Sequence, residues 1–181
     1  MKQGLIIIDV QNDYFPGGNM ELVGMESAAD NCRNLLNRFR GKKAPIFHIQ
    51  HESVRAGSSF FIPGSKGCNI NERVKPEGDE PVLVKNFPNA FRDTGLQELL
   101  NKAAVKQLIA CGAMTQMCID TTVRAAFDFG YNSAVISDAC ATRDLEFQER
   151  IVPASVVQDV FMASLGGLFA TVLSTEDFLN N

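Results

Sequence analysis

The amino-acid sequence predicts a three-layer α/β fold, in which helices cover both faces of a parallel sheet. Short apolar runs, each ending at a polar residue or a glycine, alternate with longer segments of helical periodicity. Strands that are apolar throughout are typical of a sheet that is buried on both faces. The runs lie at residues 5–9, 46–50, 107–112 and 134–138, with a fifth at 81–85 and a further candidate at 170–173.

The spacing of apolar residues predicts three helices. Residues 26–40 place apolar side chains three and four positions apart, and Gly41 follows as a stop signal. A second helix is expected from about Cys118 to Phe129, and a third over residues 145–160 with a break near Pro153. Ligands of such sheets bind beyond the carboxyl ends of the strands, so residues at these ends are candidates for function.

Length and charge limit the classes of function. The 181 residues contain no tract that resembles a linker, which predicts one domain over residues 1–181. The net charge of −4 and the scattered basic residues exclude a basic surface for nucleic acid or for an anionic membrane. The apolar runs are too short to span a bilayer. We therefore expect the partner to be a small molecule or a second copy of the chain.

The cellular compartment is inferred from the N-terminus and the cysteines. The first apolar run begins soon after Met1 and Lys2 and has no signal-peptide cleavage pattern. The 5 cysteines are odd in number and too widely spaced for a metal-binding or redox pair. Free thiols in a reducing compartment fit this pattern better than disulfides, so a cytoplasmic location is expected.

Three reactive side chains lie at corresponding ends of the predicted strands. Asp9 ends the first run, Lys85 ends the run at 81–85, and Cys118 follows the run at 107–112 by about one turn. Taken singly, these residues have ordinary explanations as a cap, a solvated charge and a packed thiol. In a parallel sheet, however, all three converge on one edge, and together they match the needs of thiol chemistry.

A thiol nucleophile needs help because its reference pKa of about 8.5 leaves it mostly protonated at neutral pH. A helix N-terminus and a nearby ammonium group lower this pKa, and a carboxylate can accept the proton and later return it. We therefore expect Cys118 as nucleophile, Asp9 as base and acid, and Lys85 as the group that holds the thiolate. The turn over residues 112–118 would aim backbone N–H groups at one point, as an oxyanion hole requires.

The motifs around these residues resemble the isochorismatase-like cysteine hydrolase superfamily, which includes nicotinamidases. The resemblance implies a Rossmann-like α/β/α sandwich with a six-stranded parallel sheet and the catalytic residues Asp9, Lys85 and Cys118. It also implies a non-proline cis peptide between Ala113 and Met114, which directs the Met114 N–H toward the oxyanion beside that of Cys118. The matching segments follow one another along nearly the whole chain, at residues 8–15, 85–96, 112–118 and 137–142.

The favoured function is that of an amidohydrolase. Cys118 would attack the carbon of a small carboxamide or ureido compound and form an acyl-enzyme, and the amine would leave with a proton from Asp9. Two alternatives stay open. A vinyl-ether hydrolase, like the true isochorismatases, would use the aspartate as acid and needs no cysteine. A catalytically silent binding or scaffold protein would be expected to have lost one of the three residues.

The substrate pocket and the assembly of the chain are predicted less directly. Phe15, His51 and Phe91 are candidates for the pocket wall. The long loop at residues 51–79 is rich in Gly, Ser, Pro and charge, which is typical of a lid, a binding loop or an oligomer contact. The resemblance implies a homo-oligomer, a dimer or larger.

Catalysis is expected to need no metal and no other cofactor. Nicotinamidases of this superfamily usually bind a metal through an Asp-x-His motif at the place where this chain has its 2 histidines, His48 and His51. If Gln50 is aligned with the aspartate, Glu52 stands at the histidine position, and if His51 is aligned with it, Ser53 does. Along a strand, His48 and His51 would face opposite ways. A turn at Gln50 would instead bring His51 and Glu52 toward a cation.

Overall fold

The structure, a computed structural model, describes residues 1–180. Its strands are β1 (Gln3–Ile8), β2 (Ile46–His51), β3 (Val82–Lys85), β4 (Gln107–Ala113), β5 (Asn132–Ala141), β6 (Leu145–Phe147), β7 (Arg150–Val152) and β8 (Thr171–Leu173). Its helices are α1 (Met25–Gly41), α2 (Leu96–Lys102), α3 (Asp120–Asp128), α4 (Ala154–Gly166) and α5 (Thr175–Asn180). Short 3-10 turns occur at Asn12–Tyr14 and Glu72–Val74, and a π-helical turn occurs at Thr115–Ile119.

The central sheet has 6 strands in the order β3-β2-β1-β4-β5-β8. All neighbouring strands in it run parallel, which confirms the predicted α/β sandwich and its six-stranded parallel sheet. From β1 the chain first builds outward through β2 to β3, and it then returns to place β4 on the other side of β1. The strand order therefore reverses between β1 and β4, where sheets of this kind bind their ligands.

Two apolar clusters fill the space between the central sheet and the helices on its two faces. Because side chains alternate across a strand, Leu5 and Ile7 of β1 lie in one cluster and Ile6 and Ile8 in the other. Helices α1 and α5 supply side chains to the first cluster, and α2, α3 and α4 supply side chains to the second. Within residues 1–180, no helix combines the length and the apolar character needed to cross a membrane.

The helix predicted over residues 145–160 is wrong in its first half. Strands β6 and β7 form an antiparallel hairpin there, and α4 begins only at Ala154. The hairpin turns at Gln148 and Glu149, whose φ angles of 48° and 62° suit a tight β-turn. Pro153 directly precedes α4, a position that needs no N–H donor, whereas inside a helix proline removes a hydrogen bond and clashes with the preceding turn.

Gly112 fixes how β4 ends beside β1. It lies opposite Ile8 in the ladder between these strands, and the register of β4 against β5 shifts between Ala110 and Gly112. The φ angle of Gly112 is 122°, and a Cβ atom at this residue would lie 2.0 Å from the carbonyl oxygen of Ile8. Only a residue without a side chain allows this approach, which sets where the chain leaves β4 toward the next turn.

Gly112→Ala is therefore expected to lower the free energy of unfolding by about 3 kcal/mol or more, because it adds a backbone clash to an unfavourable φ angle. Gly130→Ala is the matched control: Gly130 also has a positive φ angle, 81°, but no atom lies within 4 Å of the position that a Cβ would take there. The control should lose only about 1–2 kcal/mol. Urea denaturation measures both values, and equal losses would contradict the role of the Ile8 contact.

Candidate active site

Four side chains meet at the carboxyl ends of the neighbouring strands β3, β2, β1 and β4. Asp9 directly follows β1, His51 ends β2, Lys85 ends β3, and Cys118 lies in the π-helical turn after β4. The structure thus brings together the three residues that the sequence singled out for catalysis, and it adds His51. The group lies where the strand order reverses, which is the usual ligand position in such a sheet.

The side-chain nitrogen of Lys85 is the centre of this group. Lys85 Nζ donates hydrogen bonds to Asp9 Oδ2 at 2.7 Å, to His51 Nδ1 at 2.9 Å and to Cys118 Sγ at 3.2 Å. An ammonium group has three N–H donors, so all of them are used. Burial lowers the pKa of Lys85, but Asp9 and Cys118 raise the pKa by more, and it lies above its ordinary value. Lys85 is therefore a cation at neutral pH.

The two carboxylate oxygens of Asp9 differ in their hydrogen bonding. Its φ angle of 52° places it in the left-handed region, which is uncommon outside glycine and recurs at functional sites. Oδ2 accepts from Lys85, whereas Oδ1 is buried and has no hydrogen-bond partner within residues 1–180. Oδ1 is thus the atom of this carboxylate that is available to accept a proton.

Cys118 has a pKa that differs from the sequence-based expectation. Burial raises the pKa of the thiol, the neighbouring Asp9 carboxylate raises it further, and Lys85 lowers it. Lys85 acts in the predicted direction, but the net shift is upward because the side chain is only 5% exposed. At neutral pH the Cys118 side chain is therefore a neutral thiol, which would have to lose its proton to act as a nucleophile.

The backbone around Cys118 forms a single π-helical turn, Thr115–Ile119, and α3 begins one residue later at Asp120. Such turns are rare and often occur at functional sites. The peptide bond between Ala113 and Met114 is cis, at the position that the resemblance implies. The Met114 carbonyl oxygen accepts hydrogen bonds from two N–H groups of the turn, which fixes the backbones of Met114 and Cys118 relative to each other.

Gln11, which the sequence analysis did not single out, holds the end of β2 in place. Its Nε2 donates to the carbonyl oxygens of His51 at 2.9 Å and of Cys68 at 2.7 Å, and its Oε1 accepts from the His51 N–H at 2.7 Å. The side chain is fully buried. Gln11 lies three residues after β1, and its spacing does not indicate a partner, so this role becomes visible only when the end of β2 is placed beside it.

A cavity of about 510 Å³ opens beside this group, and of the four residues His51 is the one that lines it. Its walls include His51 from β2, Met117 next to Cys118, and residues Arg55, Phe60 and Phe87 from the loops after β2 and β3. This volume suits a small molecule. A wider groove of about 880 Å³ lies near Ile46 and Pro81, and none of the four side chains lines it.

Only one of the three residues predicted for the pocket wall lines this cavity. His51 does so. Phe15 is instead buried in the apolar cluster beside α1, and Phe91 packs against aromatic side chains that follow α3. The aromatic walls are Phe60 and Phe87, which lie on loops where no periodicity of the sequence indicates the direction of a side chain.

The donor atoms at this edge do not fit a metal site. Asp9, His51 and Cys118 offer ligand atoms that lie within 4.8 Å of one another, a spacing that would suit a cation. Lys85 Nζ, however, hydrogen-bonds all three, so an ammonium charge lies among them and opposes a second cation. The other histidine, His48, bonds Glu80 through Nε2 at 2.9 Å.

Comparisons with known proteins agree on one family. A model of the isochorismatase domain matches residues 3–177. The isochorismatase family protein YddQ of Bacillus subtilis, itself uncharacterised, is 48% identical over 179 residues, which is 99% of each chain. A crystal structure of an isochorismatase hydrolase from Oleispira antarctica has a TM-score of 0.96 and 43% identity, covering 99% of this chain and 97% of its own. Nicotinamidase 3 of Arabidopsis thaliana is 28% identical over 157 residues, which is 80% of this chain and 76% of that one.

The contact between Lys85 and the thiol can be tested by alkylation. Lys85→Met is expected to move the pH dependence of iodoacetamide labelling at Cys118 to higher pH, because it removes the positive charge that lowers the thiol pKa. Peptide mass spectrometry separates Cys118 from the other cysteines of the chain. Lys75→Met, at an exposed lysine that pairs with Glu72, should leave the profile unchanged. An unshifted profile in Lys85→Met would show that the two groups are not coupled.

Proposed function

Because the chain belongs to the isochorismatase family of hydrolases, we propose that it cleaves the C–N bond of a small amide or ureido compound through an acyl-enzyme on Cys118. The observation that carries this proposal is the contact of one buried ammonium group, Lys85 Nζ, with both Asp9 and Cys118. A base, a nucleophile and a cation that stabilises the thiolate are thereby within reach of one another.

The first half of the reaction forms the acyl-enzyme. The Cys118 thiol transfers its proton to Asp9 as the sulfur attacks the carbonyl carbon, and the electron pair of the carbonyl bond moves to its oxygen. The backbone N–H groups of Met114 and Cys118 stabilise this oxyanion. When the intermediate collapses, the C–N bond breaks and the amine leaves with the proton that Asp9 returns.

The second half releases the acid. Water attacks the thioester carbon, and Asp9 accepts a proton from this water, so that a second tetrahedral intermediate forms at the same oxyanion position. Its collapse breaks the C–S bond, the carboxylic or carbamic acid departs, and the sulfur regains a proton from Asp9. The chain returns to its starting state with a neutral thiol, in agreement with the raised pKa of Cys118.

The surroundings of the site support a small substrate with a planar apolar part. Phe60 and Phe87 line the cavity, and its volume of about 510 Å³ is in the range of small-molecule sites. Nicotinamidase 3, one of the relatives, is an amidase by name, which supports cleavage of a C–N bond. Vinyl-ether hydrolysis with Asp9 as the acid would leave the contact between Lys85 and Cys118 without a chemical role.

Cys118→Ala is expected to reduce amide hydrolysis at least about a thousandfold, because the acyl-enzyme cannot form without the sulfur. Intact-mass measurement of the wild-type protein mixed with a panel of small amides should show an adduct that the variant lacks. Cys32→Ala, at a buried thiol that bonds the Ala139 carbonyl in the core, is the control and should keep the adduct. Turnover by Cys118→Ala within about tenfold of wild type would remove this residue from the mechanism.

Chelation tests the metal-free mechanism. Activity on the amide that labels Cys118 is expected to be unchanged after exhaustive dialysis against a chelator, since Lys85 supplies the positive charge at the nucleophile. Zinc, manganese or iron(II), added in turn, should give no gain. Loss of activity on chelation, followed by recovery with one of these metals, would contradict the prediction.

A further inference from the structure

We propose that His51 binds the substrate through Nε2–H, which donates a hydrogen bond to a lone-pair acceptor next to the scissile amide: a ring nitrogen, a carbonyl oxygen or a carboxylate. The inference rests on the proposed amide hydrolysis at the same site and adds to it a chemical requirement on the substrate. An amide without such an acceptor would bind less tightly than one that carries it.

The imidazole ring of His51 is held in one place by its surroundings. The backbone N–H and carbonyl oxygen of His51 both hydrogen-bond the side chain of Gln11, at 2.7 Å and 2.9 Å. The ring lies against that of Phe61, with 5.9 Å between the ring centroids. A side chain fixed in this way keeps its two nitrogens in defined positions, so each nitrogen can be assigned a separate role.

The nitrogen that faces Lys85 must be unprotonated. Lys85 Nζ lies 2.9 Å from His51 Nδ1, and an ammonium group can only donate. Nδ1 therefore accepts, and in a neutral imidazole the proton is then carried by Nε2. Burial and the Lys85 charge lower the pKa of His51 to about 4, which keeps the ring neutral at physiological pH.

The opposite nitrogen faces no protein acceptor. Within residues 1–180, no side chain or backbone group hydrogen-bonds His51 Nε2, although the ring lines the cavity. The cavity wall combines the apolar side chains of Phe60 and Phe87 with polar residues such as Arg55 and Asn86. Small-molecule sites use a few fixed polar groups among apolar ones to orient a ligand. A substrate that lacks an acceptor would leave Nε2–H unpaired in a desolvated site, which weakens its binding.

Two substitutions separate the two edges of the ring. In His51→Asn, the side-chain oxygen can take the position of Nδ1 and keep the Lys85 contact, but nothing replaces Nε2–H. In His51→Gln, the longer side chain can bring its N–H to the position of Nε2, while Lys85 loses its third acceptor. The first variant tests substrate binding, and the second tests the positioning of Lys85.

The probes are benzamide and the pyridine-2-, pyridine-3- and pyridine-4-carboxamides. All four have the same ring shape, but only the pyridine compounds carry a ring-nitrogen lone pair, each at a different position. Each is tested for protection of Cys118 against iodoacetamide, a measurement that requires binding but no turnover. In the wild-type protein, at least one pyridine carboxamide should protect at a concentration about tenfold lower than benzamide. His51→Asn should abolish this difference, and His51→Gln should retain part of it. The Gln variant should also shift the pH profile of labelling.

Equal protection by all four compounds, no protection by any of them, or a preference that persists in His51→Asn would overturn the proposal. The two hypotheses fail separately. A preference that depends on His51, with neither turnover of nor an adduct from any amide, would disprove hydrolysis and leave the subsite. Adducts that form without such a preference would support hydrolysis and disprove the His51 subsite.

The tautomer itself can be observed by long-range proton–nitrogen NMR correlation. The chain has only 2 histidines, and the signals of His51 are those that disappear in His51→Asn. We expect a neutral ring with the proton on Nε2 at pH 7, and titration only near pH 4. A cationic ring or a proton on Nδ1 at neutral pH would exclude the proposed donor.

Discussion

One buried ammonium group ties the parts of the site together. Lys85 Nζ joins the end of β3 to the ends of β1 and β2 and to the turn after β4, through Asp9, His51 and Cys118. Its charge is stable in the interior because the Asp9 carboxylate neutralises it, and both side chains are fully buried. Removing either partner would leave an uncompensated charge, at a cost of about 3–5 kcal/mol. The same contact thus maintains the geometry and supplies the electrostatics of the site.

The fold positions the strand ends and turns that carry these groups around Lys85. The reversal of strand order puts β1 and β4 side by side, so the residues that follow them share one edge. Gly112 lets β4 approach Ile8 closely before the chain turns toward Cys118. Gln11 satisfies the backbone at the end of β2 and so helps to fix His51 beside Lys85. Each of these features acts on the position of a group that contacts Lys85.

Much of this arrangement could be predicted from the sequence, because it depends on local patterns. Apolar runs located the strands of the main sheet, and their polar last residues identified Asp9 and Lys85. What could not be predicted depends on contacts between distant segments. The raised pKa of Cys118 follows from burial in the folded chain. The hydrogen bonds between Gln11 and His51 form only when the end of β2 lies beside Gln11. Phe60 lies on a loop whose path cannot be inferred from any sequence periodicity.

The neutral state of the Cys118 thiol affects how readily it is oxidised. Peroxides attack a thiolate much faster than a thiol, and they need access to the sulfur. Here the pKa of the Cys118 thiol is raised and the residue is only 5% exposed. Little thiolate is therefore present at neutral pH, and little of the residue is open to a peroxide. Burial and the raised pKa together protect this thiol from oxidation.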